Sequence, residues 1–202
     1  MKLRSSPFSP FGRKVKIGAL LCNLHLDIVA ADTSDPADPL HAQNPLGKIP
    51  VLLREDGPPI YDSRVILDYL DMQAGGGALI PARGEERIAA LTMLALGDGI
   101  ADAALLQIYE GRYREPETRS ERWTDHQAAK VARGLAALEA APPKRLPVST
   151  AAHVGEIAVA CALGYLDLRF AGAWRANHPT LVGWLDAFSQ RVPAFEATSP
   201  PV

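Results

Sequence analysis

The chain has 202 residues, 48% of them apolar and 22% charged, which fits one large or two small globular domains and excludes disorder over most of the length. Lysine and arginine total 21 against 23 acidic residues, a formal charge of -2, and this near-balance argues against nucleic acid or an anionic membrane as partner. No uncharged apolar run approaches the roughly 18 residues of a membrane helix.

In chain order, residues 1–4 read as a strand, without the apolar core of a signal peptide. Residues 13–24 carry Val15, Ile17, Leu20, Leu21 and Leu24 at the spacing of a helix packed on a sheet. Residues 26–31 read as a second strand, stopped by the Asp/Ser/Pro cluster at 32–39. Residues 51–53 and 59–61 read as short strands joined by the turn Glu55-Asp56-Gly57-Pro58. Ser63 is placed to cap a helix running through Ile66, Leu67 and Leu70.

From about residue 72 to 84 the chain is glycine-rich, a linker. Beyond it the sequence is rich in alanine and helical throughout. One helix is expected over 85–112 and a second over 120–140, where Ala128, Val131, Leu135 and Leu138 form one stripe. Residues 156–166 are apolar on all sides, so that helix belongs at the centre of its domain. Leu181, Trp184, Leu185 and Phe188 define a last helix, with Pro193 closing it. Cys22 and Cys161 form no disulfide framework and no zinc motif, which suits a reducing cytoplasm; both are expected to be core thiols. His25, His41, His126 and His178 show no metal-binding spacing, and no metal is expected.

Three motifs carry a resemblance. The run Ser6-Pro7-Phe8-Ser9-Pro10-Phe11-Gly12-Arg13-Lys14-Val15 resembles the first strand-to-helix turn of glutathione S-transferases. Asn44-Pro45-Leu46-Gly47-Lys48-Ile49-Pro50-Val51-Leu52 is similar to the family's N-P-x-G-K-[IV]-P-x-L segment, and Asp62-Ser63 to its acidic-Ser pair opening a helix. The ending His178-Pro179…Trp184…Arg191-Val192-Pro193-Ala194-Phe195 resembles the closing helix. The resemblance is closest to bacterial members of the serine type, since no tyrosine lies near position 9. It implies a thioredoxin-like α/β domain over 1–75, a linker over 76–84 and an all-helical domain over 85–202. That second domain would form the electrophile pocket and the contacts of a homodimer.

The chemistry implied is conjugation of glutathione, the co-substrate, to small, largely apolar electrophiles. A free thiol is mostly protonated at neutral pH, and lowering its pKa by about two units takes roughly 2.7 kcal/mol of preferential interaction with the anion. A hydroxyl donor and a helix N-terminus can supply this together. Ser9, just before the helix, is the catalytic candidate as hydrogen-bond donor, not as base; its plain structural alternative is a helix cap beside Pro10. Ser5 and Ser6 are rivals that fall in or beside the strand. The glutaredoxin pattern C-P-x-C is replaced by Ser9-Pro10-Phe11-Gly12, so dithiol exchange at this turn is excluded.

By resemblance, Pro50 is cis and leaves the backbone of Ile49 free to pair with the cysteinyl unit of glutathione. Lys48 would hold a glutathione carboxylate, and Phe11 joins the site through the register of the first motif. Ser63 would receive the γ-glutamyl carboxylate and Asp62 its ammonium. Gly97-Asp98-Gly99 is costly inside a helix, at about 1 kcal/mol per glycine relative to alanine. It suggests close helix approach at a dimer axis; the resemblance implies that Asp98 reaches the neighbouring subunit's glutathione, with a packing and dimer feature alone as the alternative. Tyr109, Arg112 and Tyr113 are read as exposed helix-end residues, with a second-substrate pocket as the alternative. His153 is expected to cap the central helix poorly where family members place Ser or Thr. Two other functions are compatible with the motifs: a non-enzymatic binding module, and a glutathione-dependent isomerase, dehalogenase or peroxidase.

Overall fold

The structure, a computed structural model, describes residues 1–201. Strand β1 (Lys2–Ser5) lies between two others: β2 (Asp27–Ala30) pairs with it in parallel and β3 (Val51–Leu53) antiparallel. The parallel pair is joined by helix α1 (Pro10–Leu21), which crosses over the sheet. α1 begins three residues earlier than the apolar spacing indicated because Ser9 caps it and Pro10 occupies its first position. It ends at Leu21, with Asn23 turning the chain at positive φ. The expected strand over 59–61 is reduced to one bridge, Ile60 against Leu52. Pro58 and Pro59 have no amide hydrogen to donate there. The loop before β3 holds a single-turn helix, α2 (Leu40–Gln43), and α3 (Ser63–Gln73) follows the bridge. Leu3, Val15, Ile17, Leu52, Ile66, Leu67 and Leu70 form the core of this half and are fully buried.

The second half is helical: α4 (Gly84–Tyr113), α5 (Glu121–Ala140), α6 (Val154–Phe170), α7 (Pro179–Arg191) and α8 (Pro193–Ala197). Pro193 does not end the helical structure; it occupies the first position of α8. α6 is buried along nearly its whole length, with α4 packed along it. α4 is long and apolar enough to cross a membrane by composition, but Ala90, Leu94, Ile100, Ala101 and Ala104 are used in the core. Gly97 is required by this packing. A Cβ there would lie 2.7 Å from the carbonyl carbon of Ala158, so its close approach is to α6 of the same chain, whereas Gly99 faces open space.

His153 caps α6 fully, contrary to the sequence expectation. Its Nδ1 accepts from the amides of Gly155 (3.1 Å) and Glu156 (3.4 Å), and Glu156 Oε2 accepts from the His153 amide at 3.2 Å. A neutral imidazole nitrogen serves as the cap acceptor in place of a hydroxyl oxygen.

The two halves are joined through α1, which packs on α3 and α6. Arg13 is buried and donates to the Phe195 carbonyl at 2.6 Å and to Ser199 at 3.2 Å, its guanidinium 3.9 Å from the centre of the Phe195 ring. Lys14, 1% exposed, forms an ion pair with Asp98 of α4. The linker is also tied down. Asp71 accepts from the amides of Gly77 and Ile80, Leu79 and Ile80 are buried, and the Leu79 carbonyl accepts from Val154.

Candidate active site

Strand pairing brings the three motifs to one end of the sheet. β1 runs toward its end at Ser5, where the chain turns through Ser6–Phe8 into α1. Arg4 pairs with Val51, so the end of β1 that leads into α1 lies beside the start of β3, directly after Ile49–Pro50. Leu52 pairs with Ile60 on the other side, and α3 begins three residues beyond Ile60. The start of α1, the Ile49–Pro50 segment and the start of α3 therefore lie at one end of the sheet.

Ser9 is half-buried, and its Oγ accepts from the Gly12 amide at 3.1 Å. That bond uses a lone pair and leaves the hydroxyl hydrogen to donate. Capping and donation to an anion are thus compatible at one atom. Ser5 is 1% exposed, its hydroxyl directed to the Ser6 carbonyl at 3.3 Å and packed where a Gly12 Cβ would stand. Ser6 Oγ accepts from the Phe8 amide at 3.3 Å. Phe11 is half-buried with the Lys14 ammonium 5.7 Å from its ring centre.

The Ile49–Pro50 bond is cis. The N–H and C=O of Ile49, a half-buried residue, make no hydrogen bond among the described residues. Its position is fixed by Asn44, 2% exposed, whose Nδ2 donates to the Lys48 carbonyl at 2.8 Å and whose Oδ1 accepts from the Leu46 amide at 3.0 Å. Gly47 turns between them at φ 60. Lys48 is exposed. Asn44 is a positioning residue that sequence reasoning passed over, although it opens the motif; an Asn before Pro is also an ordinary turn residue, so only its two bonds reveal the role.

At α3 the cap is Asp62, not Ser63. Asp62 Oδ1 accepts from the Arg64 amide at 2.9 Å, and Oδ2 pairs with the Arg64 guanidinium at 3.0 Å. Against the desolvation of its site, the hydrogen bonds from Arg64 hold the Asp62 carboxyl below its ordinary range. Ser63 is then the first helical residue, 3% exposed, and its hydroxyl makes no hydrogen bond to another described residue. The helix end thus offers a free hydroxyl beside first-turn amides.

Asp98 lies between the halves. One oxygen pairs with Lys14 and the other is 3.8 Å from Arg64 Nε, which links Asp62, Arg64, Asp98 and Lys14 in one alternating network of charge. Lys14 and Arg64 were absent from the sequence candidates, because neither helical periodicity nor charge count marks a lysine that will be buried. Burial, and then the Asp98 charge, push the Asp102 carboxyl up, one turn further along α4.

Beside Ser9, the exposed Phe8 ring lies under the Arg169 guanidinium of α6 at 5.4 Å, and Tyr165 under the same group at 5.9 Å. Tyr109 and Tyr113 of α4 pack edge to face, ring centres 5.1 Å apart. Cys161 is enclosed in α6, and burial pushes its thiol up to about 11.

Comparison with known proteins gives two family matches, "Glutathione S-transferase, N-terminal domain" over residues 3–78 and "Glutathione S-transferase, C-terminal domain" over residues 121–187. An uncharacterized GST-like protein, YibF of Escherichia coli, is 32% identical over 100% of this chain and 99% of its own. The chain belongs to the glutathione S-transferase family. Among solved structures, a family member from Pseudomonas fluorescens Pf-5 with bound glutathione is 43% identical, with a TM-score of 0.89 over 100% of this chain and 99% of that one. A second crystal structure of a Pf-5 family member, also 43% identical, has a TM-score of 0.86 over 100% of both chains and holds S-(propanoic acid)-glutathione. The α/β domain followed by a helical domain is the family's architecture.

Proposed function

We propose that the protein is a glutathione transferase that binds glutathione at this end of the sheet and transfers its sulfur to small electrophiles. The placing of the start of α1, Ile49–Pro50 and the start of α3 at one end of the sheet supports this reading. The peptide backbone of the tripeptide pairs with the free N–H and C=O of Ile49. Its γ-glutamyl carboxylate sits on the Ser63 hydroxyl and first-turn amides of α3, and its ammonium on Asp62. Lys48 holds the other end, and Phe11 shields the sulfur side. The thiolate accepts from Ser9 O–H at the N-terminus of α1, where the aligned amides favour an anion. Asp98 fixes Lys14 and Arg64 within its own chain, and it extends toward the ammonium of glutathione across a dimer two-fold.

The thioether held by the Pf-5 relative is the kind of product that conjugation leaves, which supports sulfur transfer over the binding-module reading. The homodimer is supported by apolar residues left exposed on α3 and α4, namely Val65, Met72 and Ile88. A cytoplasmic location and a role in detoxification complete the reading, in keeping with two unpaired cysteines.

Calorimetric titration with glutathione, coupled to ultraviolet detection of bound thiolate, tests it. Saturable binding with sulfur ionising well below its value in buffer is the expected result. Absence of binding at millimolar glutathione overturns the reading.

A further inference from the structure

Four lysine and arginine side chains are buried among the described residues: Arg4, Arg13, Lys14 and Arg191. A buried cation is costly without a counter-charge, and three of the four have one within the chain. Arg4 holds Asp38, Lys14 holds Asp98 and Arg191 holds Glu156. Arg13, 5% exposed, has no carboxylate within 4 Å among the described residues. Its Nε and Nη2 are spent on neutral oxygens of Phe195, Thr198 and Ser199. Nη1 makes no hydrogen bond among the described residues; it lies beside Gly164, 2.7 Å from where a Cβ there would stand. Burial lowers the Arg13 guanidinium below its ordinary value, and Cys161, Glu196 and Asp167 offset only part of that.

Arg13 and Gly164 both line a cleft of about 500 Å³ between α6, α7 and α8, a volume within the range of small-molecule sites. Ser9, Ile49, Asp62 and Ser63 do not border it. Nor is it the hollow beside Ser9, which Phe8 and Tyr165 line and with which it shares the Arg13 wall. Leu168, Leu185 and Phe195 give the cleft an apolar side. Of its acids, Asp167 is taken by Arg175 and the Trp174 indole. Asp186 and Glu196 are exposed and hold no cation within 4 Å, and Glu196 Oε1 accepts from Ser189 at 2.7 Å. A simple anion would meet these carboxylates on its way to Arg13. A molecule with a carboxylate at one end and an ammonium at the other satisfies both ends of the cleft.

We propose that this cleft is a second binding site, for a small zwitterion of the amino-acid or short-peptide class, whose carboxylate accepts from Arg13 Nη1 and whose ammonium rests on Asp186 and Glu196. The chain between the charged ends lies on Leu168, Leu185 and Phe195. The site is independent of the glutathione transferase reading, because no residue assigned to glutathione borders it.

The test titrates the ¹⁵N-labelled full chain at neutral pH with 4-aminobutanoate, 6-aminohexanoate and 8-aminooctanoate. Each is paired with the carboxylate of the same length lacking the amine, and with the amine lacking the carboxylate. The best-bound of the three should be preferred over its amine by about tenfold or more, the contribution of a hydrogen bond to a buried charge. Its preference over the plain carboxylate should be smaller, about threefold to tenfold, because Asp186 and Glu196 are exposed. The amides of Gly164, Ser189 and Ser199 should shift, and those of Ser9 and Ser63 should not. In the double variant Asp186→Asn, Glu196→Gln the preference over the carboxylate should vanish, and in Arg13→Gln the preference over the amine should vanish. Arg13 also anchors the residues after α8, so if Arg13→Gln does not fold, the shift map and the rim variant decide. Absence of binding by all three probes at millimolar concentration overturns the inference, as does equal affinity for zwitterion and carboxylate, or a preference that survives in the rim variant. Shifts centred on Ser9 and Ser63 overturn it too, by placing the probe in the glutathione site. None of these failures touches the transferase reading, which glutathione titration tests separately.

Discussion

The helix starts of the two halves are finished differently. At α6 the first-turn amides are all consumed within the chain: Val154 donates to the Leu79 carbonyl, His153 and Glu156 cap each other's backbone, and Glu156 in turn holds the buried Arg191. At α1 and α3 the caps are made by Ser9 and Asp62, but hydrogen-bonding capacity is left over: the Ser9 hydroxyl hydrogen, the Ser63 hydroxyl and the backbone of Ile49. The same N-terminal amides serve stability where they are closed and recognition where they are left open. Substitutions at the closed end should change stability alone, and those at the open ends should change binding and rate more than stability.

The largest effect is expected at the closed end. Glu156→Gln keeps a cap acceptor but leaves Arg191 a buried cation without its anion, which costs about 3–5 kcal/mol. For a chain of this size the melting temperature should fall by roughly 6–20 °C. Glutathione affinity of the folded fraction should match the native protein. A melting temperature within a degree or two of the native value would show that the Arg191 pair is not what closes this end.

Next comes Ser9→Ala. Removing one donor to a developing or resident anion lowers kcat by about 10²–10³, while loss of the cap costs only about 1 kcal/mol of stability. Steady-state kinetics and thermal unfolding of one preparation separate the two. A variant destabilised as expected but with native turnover would reduce Ser9 to a cap. Ser63→Ala follows, with a smaller effect. Because Asp62 makes the cap, unfolding should change by no more than about 0.5 kcal/mol. Glutathione affinity should fall about tenfold or more, the loss of a hydrogen bond to a charged group. Titration calorimetry reads the second quantity and denaturant unfolding the first.

The same division explains what was legible in the sequence. The apolar stripes of α5 and α7 and the all-apolar run of α6 announce themselves, because burial is written in residue type and period. The motifs containing Ser9, Ile49-Pro50 and Asp62-Ser63 were legible by resemblance, but their meeting depends on strand register, which pairs residues far apart in sequence. Lys14, Arg64 and Asn44 escaped because their roles are set by partners: a buried lysine is tolerable only opposite Asp98, and an Asn in a turn is ordinary until both its amide atoms are seen to be used. His153 was misjudged for a related reason. Cap statistics describe residue types, whereas here a neutral ring nitrogen happens to lie over two amides. Gly97 read correctly as a close approach, but its partner, α6 of the same chain, was not visible from spacing.

The smallest effect, and the finest test of the comparison, is the pH dependence of the α6 cap. Burial is the main cause that lowers the His153 pKa below its ordinary value, with the Arg191 charge adding to it and Glu156 opposing. The cap needs the unprotonated Nδ1, since a nitrogen carrying a proton cannot accept from the Gly155 and Glu156 amides. Between the lowered folded value and the ordinary imidazole value, the unfolded chain binds more protons than the folded one, so stability rises with pH across that window. The contribution is fully present above the ordinary histidine value, about 6.5, and is lost as pH falls through the folded one. His153→Ser keeps a capping side chain that does not titrate. Urea unfolding of both proteins at pH 7.5 and pH 5.5 should therefore show the native protein losing stability relative to the serine variant as the pH drops. Parallel losses in the two proteins would mean that the imidazole is not the titrating element of this cap, and that the closed end owes its pH response to the carboxylates alone.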